Sequence, residues 1–523
     1  MERRRMVKRV MALTAVAGLA GTLLAAPAAS DDRRSGGPDW GTCPDDVVTA
    51  IPLECATVPV PLDHDDPGGT KIEVMISRLA STDTTARRGV LLLNPGGPGG
   101  AGLPQPSELS MLGLPSSVLD AYDLIGMDPR GVGHSSPVSC GFTVEQNYPG
   151  NVPPYAPDAA AVAKQAEYSR TIADQCAAHD TDGRMQHMTT ANTARDMDVI
   201  REALGEDTIS FYGASYGSAL GSAYASLFPE RSDRIIVDSN TGGPALDQDA
   251  VRRFALGLED RFPDFATWAS ARNESYGLGT TPGQVRKNYL ALGSRLDRAP
   301  MEGLTGANFR FFVFAALYSD SSFAPLAQLW QSLDDGDVEA AARQADTLRS
   351  ELSDLPTAVP GVSPGSGTTP SPHDNAFSAF LAVTCNDTEW AEDVRTYQRN
   401  VAVDRKRYPL FGAAAANVNP CAFWHNDPVD PPLEIDDEGP ENVLVLQNLR
   451  DPATPLLGGE ITREAFGDRA RLVSVDAGGH GVYVYGDNPC ALNTATRFLL
   501  DGSLPRDDIF CGASTTSGPR PER

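Results

Sequence analysis

The sequence predicts an α/β protein: a mainly parallel, doubly wound sheet interrupted by a long helical insertion. Three observations predict it. Short apolar runs recur at Val90-Leu91-Leu92-Leu93, Ile235-Ile236-Val237 and Val443-Leu444-Val445-Leu446, as expected of strands buried on both faces. From Val90 onward these runs alternate with helical patterns, which is the signature of crossover connections between parallel strands. Between residues 241 and 437 strand signals become scarce and helical periodicity takes over, notably at 284–298, 309–318 and 338–352. The chain divides accordingly into a leader at 1–30, a first core part at 40–240, a helical cap at 241–437 and a second core part at 438–515.

The leader carries Arg3, Arg4, Arg5, Lys8 and Arg9 ahead of an apolar run from Val10 to Ala26 that ends in small residues. That is the pattern of a signal peptide, with cleavage expected near residues 28 to 30 and the protein released outside the cell. The run is short for a membrane span and no stop-transfer pattern follows, so no stable membrane anchor is expected. Export agrees with an even set of eight cysteines. Because short loops close at least entropic cost, the expected bridges are Cys43–Cys55, Cys140–Cys176, Cys385–Cys421 and Cys490–Cys511. No Cys-x-x-Cys pair exists, and nothing else calls for a metal or an organic cofactor. A net charge of -26 and a pI near 4.6 argue against a nucleic acid or an anionic membrane as partner.

Taken in order, the mature chain starts with a polar, frayed stretch at 31–37 and then a hairpin, with strands around Thr57 to Leu62 and Ile72 to Ile76. The strand at Val90 pours into Asn94-Pro95-Gly96-Gly97-Pro98-Gly99-Gly100, where bare backbone N–H groups can hold an oxyanion. Tyr122 to Met127 forms the next strand, and Asp128 and Arg130 beyond it read as a charged brace for their turn, with His134 structural as well. A helix at 190–204 delivers the chain to Ile209-Ser210-Phe211-Tyr212-Gly213-Ala214-Ser215-Tyr216-Gly217. Here a β-prone run enters a Gly-x-Ser-x-Gly turn, and Leu220, Ala223, Tyr224 and Leu227 continue as the apolar stripe of a helix. Gly213 and Gly217 leave room for Ser215 to stand above the sheet as a nucleophile, and the helix N-terminus favours negative charge there.

Inside the insertion a Gly-, Ser-, Thr- and Pro-rich loop is expected at 360–372. Past it, Val443 to Leu446 leads to Asp451, and the strand Arg471 to Val475 leads to Asp476-Ala477-Gly478-Gly479-His480. Ser215, Asp451 and His480 thus each fall just beyond a strand, in the chain order of an α/β-hydrolase triad. The chemistry needs all three, since a neutral hydroxyl attacks only when an imidazole takes its proton and a carboxylate fixes the imidazole tautomer. Asp476 is a rival acid, disfavoured because it shares the histidine's own strand. The oxyanion is assigned to the backbone N–H groups of Tyr216 and of Gly97 or its neighbour.

The segments Asn94 to Gly99, Asp128-Pro129-Arg130-Gly131-Val132-Gly133, Gly213 to Gly217, Asp451-Pro452-Ala453-Thr454-Pro455 and Gly478-Gly479-His480 together resemble those of the secreted bacterial tripeptidyl aminopeptidases, relatives of proline iminopeptidase with the α/β-hydrolase fold. Where proline iminopeptidases usually carry His before Gly-Gly-Pro-Gly, this chain has Pro95, as the tripeptidyl group tends to. The resemblance implies hydrolysis of a peptide bond after a short N-terminal segment of a peptide or protein. It also implies recognition of the free α-amino group by acidic or amide groups of the cap, for which Asn386, Asp387 and Glu389 are the candidates. A proline iminopeptidase-like aminopeptidase, or a carboxylesterase or lipase using the same triad, is the alternative.

Overall fold

The computed structural model describes residues 37–514 apart from 144–145, 147–149, 151, 302 and 354–369. The expected leader, the frayed stretch before Gly37 and most of the loop expected at 360–372 fall outside the described residues.

Ten strands form one sheet: β1 (Gly41–Thr42), β2 (Glu54–Pro61), β3 (Lys71–Leu79), β4 (Gly89–Asn94), β5 (Tyr122–Met127), β6 (Ile209–Ala214), β7 (Ser232–Asp238), β8 (Val443–Arg450), β9 (Ala470–Gly478) and β10 (Ile509–Cys511), in the order β1-β2-β3-β5-β4-β6-β7-β8-β9-β10. The first strands pair antiparallel and everything from β5 to β10 is parallel. The apolar runs are continuous because alternate side chains enter different cores. Val90, Leu92, Phe211, Ile235, Val237, Val443 and Val445 belong to one buried cluster, whereas Leu91, Leu93, Tyr212, Ile236, Leu444 and Leu446 belong to another, with Phe498 and Leu499 of the helix Pro489–Asp501. A parallel sheet covered on both faces has this pattern.

Helices start where side chains can satisfy their first N–H groups: Thr189 caps Thr190–Ala203, Asp247 caps Gln248–Ser270, and Thr305 with Asn308 forms a capping box at Gly306–Ala316. Between Asp238, the end of β7, and Val443, the start of β8, the described residues form helices and no strand of the sheet. Helical periodicity found Pro282–Arg298, Gly306–Ala316 and Val338–Ser353, but not Gln248–Ser270, Phe323–Asp335, Pro372–Asp387 or Val394–Arg407. The missed helices have an explanation at Pro372–Asp387: most of its residues, polar ones included, are buried, which leaves no exposed face and no stripe to read. One further helix, Ala159–His179, precedes β6 in the chain yet packs its Val162 and Ala166 with Tyr397, Val401 and Ala413 of the insertion.

The four disulfides pair as expected: Cys43–Cys55, Cys140–Cys176, Cys385–Cys421 and Cys490–Cys511. Cys140–Cys176 ties the helix Ala159–His179 to the segment after β5, and Cys385–Cys421 ties the helix Pro372–Asp387 to the turn Pro420–Phe423. Arg130 braces the core as expected, but its partner is Asp196 rather than its neighbour Asp128. It donates from Nε and Nη2 to Asp196 and also reaches the carbonyls of Pro61, Leu62 and His187. Asp128 instead accepts from the backbone of Gly102, Leu103 and His134, holding the glycine-rich loop against its own turn. Burial alone pushes the Asp128 carboxyl upward, and those three N–H donors oppose the push.

Candidate active site

The C-terminal ends of β6, β8 and β9 lie on one edge of the sheet, and the three expected side chains leave it from there. Ser215 follows β6 directly with φ +60° and ψ −126°, a backbone region that L-residues avoid, and is half-buried. Its strained turn is held because its N–H donates to the Asp238 carbonyl at 2.9 Å while its own carbonyl accepts from Ser218. Tyr216 opens the next helix, so its N–H has no intrahelical acceptor and points toward the N-terminal, electropositive end.

Asp451 is the first residue after β8 and is fully buried. Its Oδ1 accepts from the backbone of Ala453 and Thr454, both at 2.9 Å, and its Oδ2 accepts from the Thr454 hydroxyl. Three donors fix the carboxylate before it meets the imidazole. His480 Nδ1 lies 3.0 Å from Oδ1 and 2.9 Å from Oδ2, and the Thr454 hydroxyl lies 3.2 Å from the same nitrogen. Nδ1 bound to the carboxylate leaves Nε2 as the nitrogen able to exchange a proton. The rival acid, Asp476, is bound instead by Arg450 Nη1 at 2.7 Å.

The glycine-rich loop after β4 reaches the same place. Gly96 has φ +97°, and a Cβ on it would lie 3.0 Å from the Ser215 Cβ and 3.1 Å from the Tyr216 nitrogen, so only glycine permits this approach. The Asn94 side chain takes the Gly96 N–H at 2.9 Å. No hydrogen bond among the described residues takes the N–H of Gly97.

Several residues at this edge escaped the sequence reading. Asp238, buried at the end of β7, accepts from the N–H groups of Val482 and Tyr483, the Ser239 hydroxyl and the Tyr212 phenol. Ser239 has φ +56° and takes the Gly481 N–H on its hydroxyl at 2.9 Å. One dipeptide therefore holds both the Ser215 turn, through the Asp238 carbonyl, and the His480 loop, through two side chains. Its signal was a polar pair just past a buried strand, the same signal that marked Asp451. Asp238→Ala would strand four buried donors, and the expected cost is about 3 kcal/mol in denaturant unfolding. Asp238→Asn, which keeps an acceptor oxygen, should lose less than half of that, and a wild-type midpoint for the alanine variant would refute the clasp.

The cap candidates separate. Asn386 is buried and consumed structurally, its Nδ2 donating to Met185 O at 2.7 Å and its Oδ1 accepting from Trp424 Nε1 at 2.7 Å. Glu389 is exposed. Cys385, Asn386 and Asp387 form the last turn of a helix rather than a loop. Asp387 lines a crevice with Thr189, Asp430 and Leu433. It accepts from Thr190 N and Oγ1 at 2.7 and 2.6 Å, and the Thr190 hydroxyl is also 2.6 Å from the Tyr216 phenol oxygen. Burial, with the nearby Asp430 adding to it, pushes the Asp387 carboxyl up to about 7.

A parallel sheet with a strained serine after its central strand, an acid after β8 and a histidine after β9 defines the α/β-hydrolase fold in its serine-hydrolase form. The model of a family described as TAP-like protein matches residues 408–511, which include Asp451 and His480. The chain is 34% identical over 510 residues to a tripeptidyl aminopeptidase of Streptomyces coelicolor, covering 95% of this chain and 89% of that one. It is 29% identical to the serine protease Hip1 of Mycobacterium tuberculosis, with 87% of each chain covered, and 28% identical to a carboxylesterase B of the same species, covering 90% and 89%. The chain belongs to the tripeptidyl aminopeptidase family of serine peptidases.

Proposed function

We propose that the protein is an exported exopeptidase that binds the free N-terminus of a peptide and releases tripeptides through an acyl-enzyme on Ser215. In this reading His480 Nε2 takes the Ser215 proton, Asp451 fixes the tautomer and balances the imidazolium, and Gly97 and Tyr216 N–H groups receive the carbonyl oxygen as it gains charge. The proton then passes from His480 to the leaving amine, and a water activated by the same imidazole frees the tripeptide. The leader at 1–30 supplies export, and the disulfides suit the oxidising compartment it leads to.

The observation that carries the exopeptidase reading is Asp387. It lines a crevice shared by the insertion and the start of the helix Thr190–Ala203, and its carboxylate is linked through one threonine hydroxyl to the residue that follows Ser215. Asn386 lines the same crevice but has both ends of its amide engaged, and Glu389 lies outside it; Asp387, half-buried and acidic, takes the substrate ammonium. An ammonium needs the ionised carboxylate, which a carboxyl titrating near 7 supplies increasingly as pH rises. The expected result is a KM for free-amine peptides that falls as pH rises from about 6 to 7.5, before the substrate's own α-amino group loses its charge, and that Asp387→Asn makes higher and flat over that range. The fold should respond in the opposite sense. A carboxyl raised above its unfolded value favours the folded state at low pH and withdraws that contribution as pH rises from about 4 toward 7, so Asp387→Asn should flatten stability across that lower window.

The test of the activity itself is a panel of chromogenic substrates: a free-amine tripeptide anilide, its N-acetylated twin, a single-proline anilide and a short ester. Cleavage of the first, lost on acetylation, is expected. Turnover of the proline anilide alone would make the protein a proline iminopeptidase, and turnover of the ester alone an esterase.

A further inference from the structure

We propose that Arg261, on the inserted helix Gln248–Ser270, is a positioning residue for His480, so that the insertion and the histidine loop form one mechanical unit. The proposal rests on the reading of Ser215 and His480 as nucleophile and base.

The backbone around His480 is pinned mainly from the core. Gly479 N donates to Arg450 O, Asn448 Nδ2 donates to the carbonyls of Gly479 and Gly481, and Gly481 N donates to the Ser239 hydroxyl. The N–H of His480 itself goes elsewhere: it donates to the Tyr318 carbonyl at 2.9 Å. Tyr318 belongs to the insertion, two residues past the end of the helix Gly306–Ala316, where carbonyls are free to accept from outside the helix. The Tyr318 ring also lies against the imidazole, with ring centroids 4.8 Å apart. Gly479 has φ +102°, and a Cβ there would come within 2.8 Å of the same carbonyl, so the two chains are in close contact. The insertion therefore provides the base with both a backbone anchor and one wall of its ring pocket.

What holds the Tyr318 turn in place is Arg261, which is 2% exposed. Its Nε donates to Leu317 O at 3.1 Å, its Nη2 to Asp320 and its Nη1 to Asp264 at 2.7 Å, and its guanidinium lies 5.0 Å from the centre of the Phe323 ring. Asp264 in turn accepts from Arg450 Nε at 2.9 Å, and Arg450 stands immediately before Asp451 and also binds Asp476. The chain of charges thus runs from the insertion into both loops that bear the acid and the base. A buried guanidinium with several donors engaged fixes orientation as well as distance, and removing it leaves a carbonyl and two carboxylates to reorganise. The insertion cannot swing away at this edge without taking the acceptor from the His480 N–H.

The test compares Arg261→Met, Arg261→Lys and Asp320→Ala with wild type, using kcat per site titrated with a fluorophosphonate and KM for the tripeptide anilide, and with Ser215→Ala, whose rate is taken per mole of protein. A base displaced by about an ångström costs on the order of a hundredfold. Arg261→Met is expected to lower kcat tenfold to a hundredfold with KM within twofold, and Arg261→Lys, which keeps a cation and one donor, to recover most of the loss. Asp320, 76% exposed, can be removed without endangering the fold, and Asp320→Ala should lower kcat twofold to fivefold even if Arg261→Met does not fold. Wild-type kcat in Asp320→Ala and in whichever Arg261 variants fold, or a loss that falls on KM alone, would overturn the proposal. Full activity in Ser215→Ala would instead overturn the assignment of the nucleophile, whatever Arg261 does.

Discussion

Ser215→Ala and His480→Ala are each expected to lower kcat on a free-amine tripeptide anilide by about 10⁶, with the double variant no slower than either alone. In the proposed mechanism the two groups carry out one step. A serine hydroxyl without an acceptor for its proton is as ineffective as an imidazole without a nucleophile to deprotonate, so the second deletion removes nothing that the first has left. The residual rate should come from binding and from the proposed oxyanion donors, the Gly97 and Tyr216 N–H groups, which neither substitution removes. Steady-state kinetics of the three variants, on protein shown by thermal melting to fold, gives the answer. Losses that multiply in the double variant would mean that the two side chains act in separate steps.

Asp451→Asn is expected to cost about 10⁴ in kcat while leaving KM and the melting temperature nearly unchanged. The amide oxygen can still accept from the N–H groups of Ala453 and Thr454, which now hold Oδ1 at 2.9 Å. The amide nitrogen then replaces Oδ2, 2.9 Å from His480 Nδ1. A donor facing Nδ1 forces the proton onto Nε2, and an Nε2 that already bears a proton cannot take one from Ser215. Raising the pH should restore part of the rate in this variant, because hydroxide can remove the Ser215 proton that the mis-protonated imidazole cannot. A loss below tenfold would return the role to another carboxylate, with Asp476 the first to test.

What the sequence disclosed follows from where local chemistry is sufficient. Gly213-Ala214-Ser215-Tyr216-Gly217 was readable because a sharp turn between strand and helix needs small residues at fixed offsets, and the strained φ of Ser215 is that turn. The positions of Asp451 and His480 were readable because each stands within two residues of the end of a strand, buried and apolar in β8 and partly buried in β9. The disulfides were readable because the loops they close are short, from 12 to 36 residues apart in sequence. Asp238, Ser239, Tyr318 and Arg261 were not, because what makes them matter is distance across the fold: Asp238 meets Val482 and Tyr483 some 244 residues on, and Arg261 works through Leu317 and Asp320. Asn386 illustrates the opposite case. Its residue type suited substrate binding, yet both ends of its amide are spent on Met185 and Trp424.

The most direct single measurement is acid quenching of the enzyme during turnover of a peptide of five or more residues with a free N-terminus, followed by proteolytic mapping and mass spectrometry. The expected result is one acyl adduct, on Ser215, with the mass of the first three residues of the substrate. An adduct of one residue, an adduct on another side chain, or turnover with Ser215 never modified would contradict tripeptide release through Ser215.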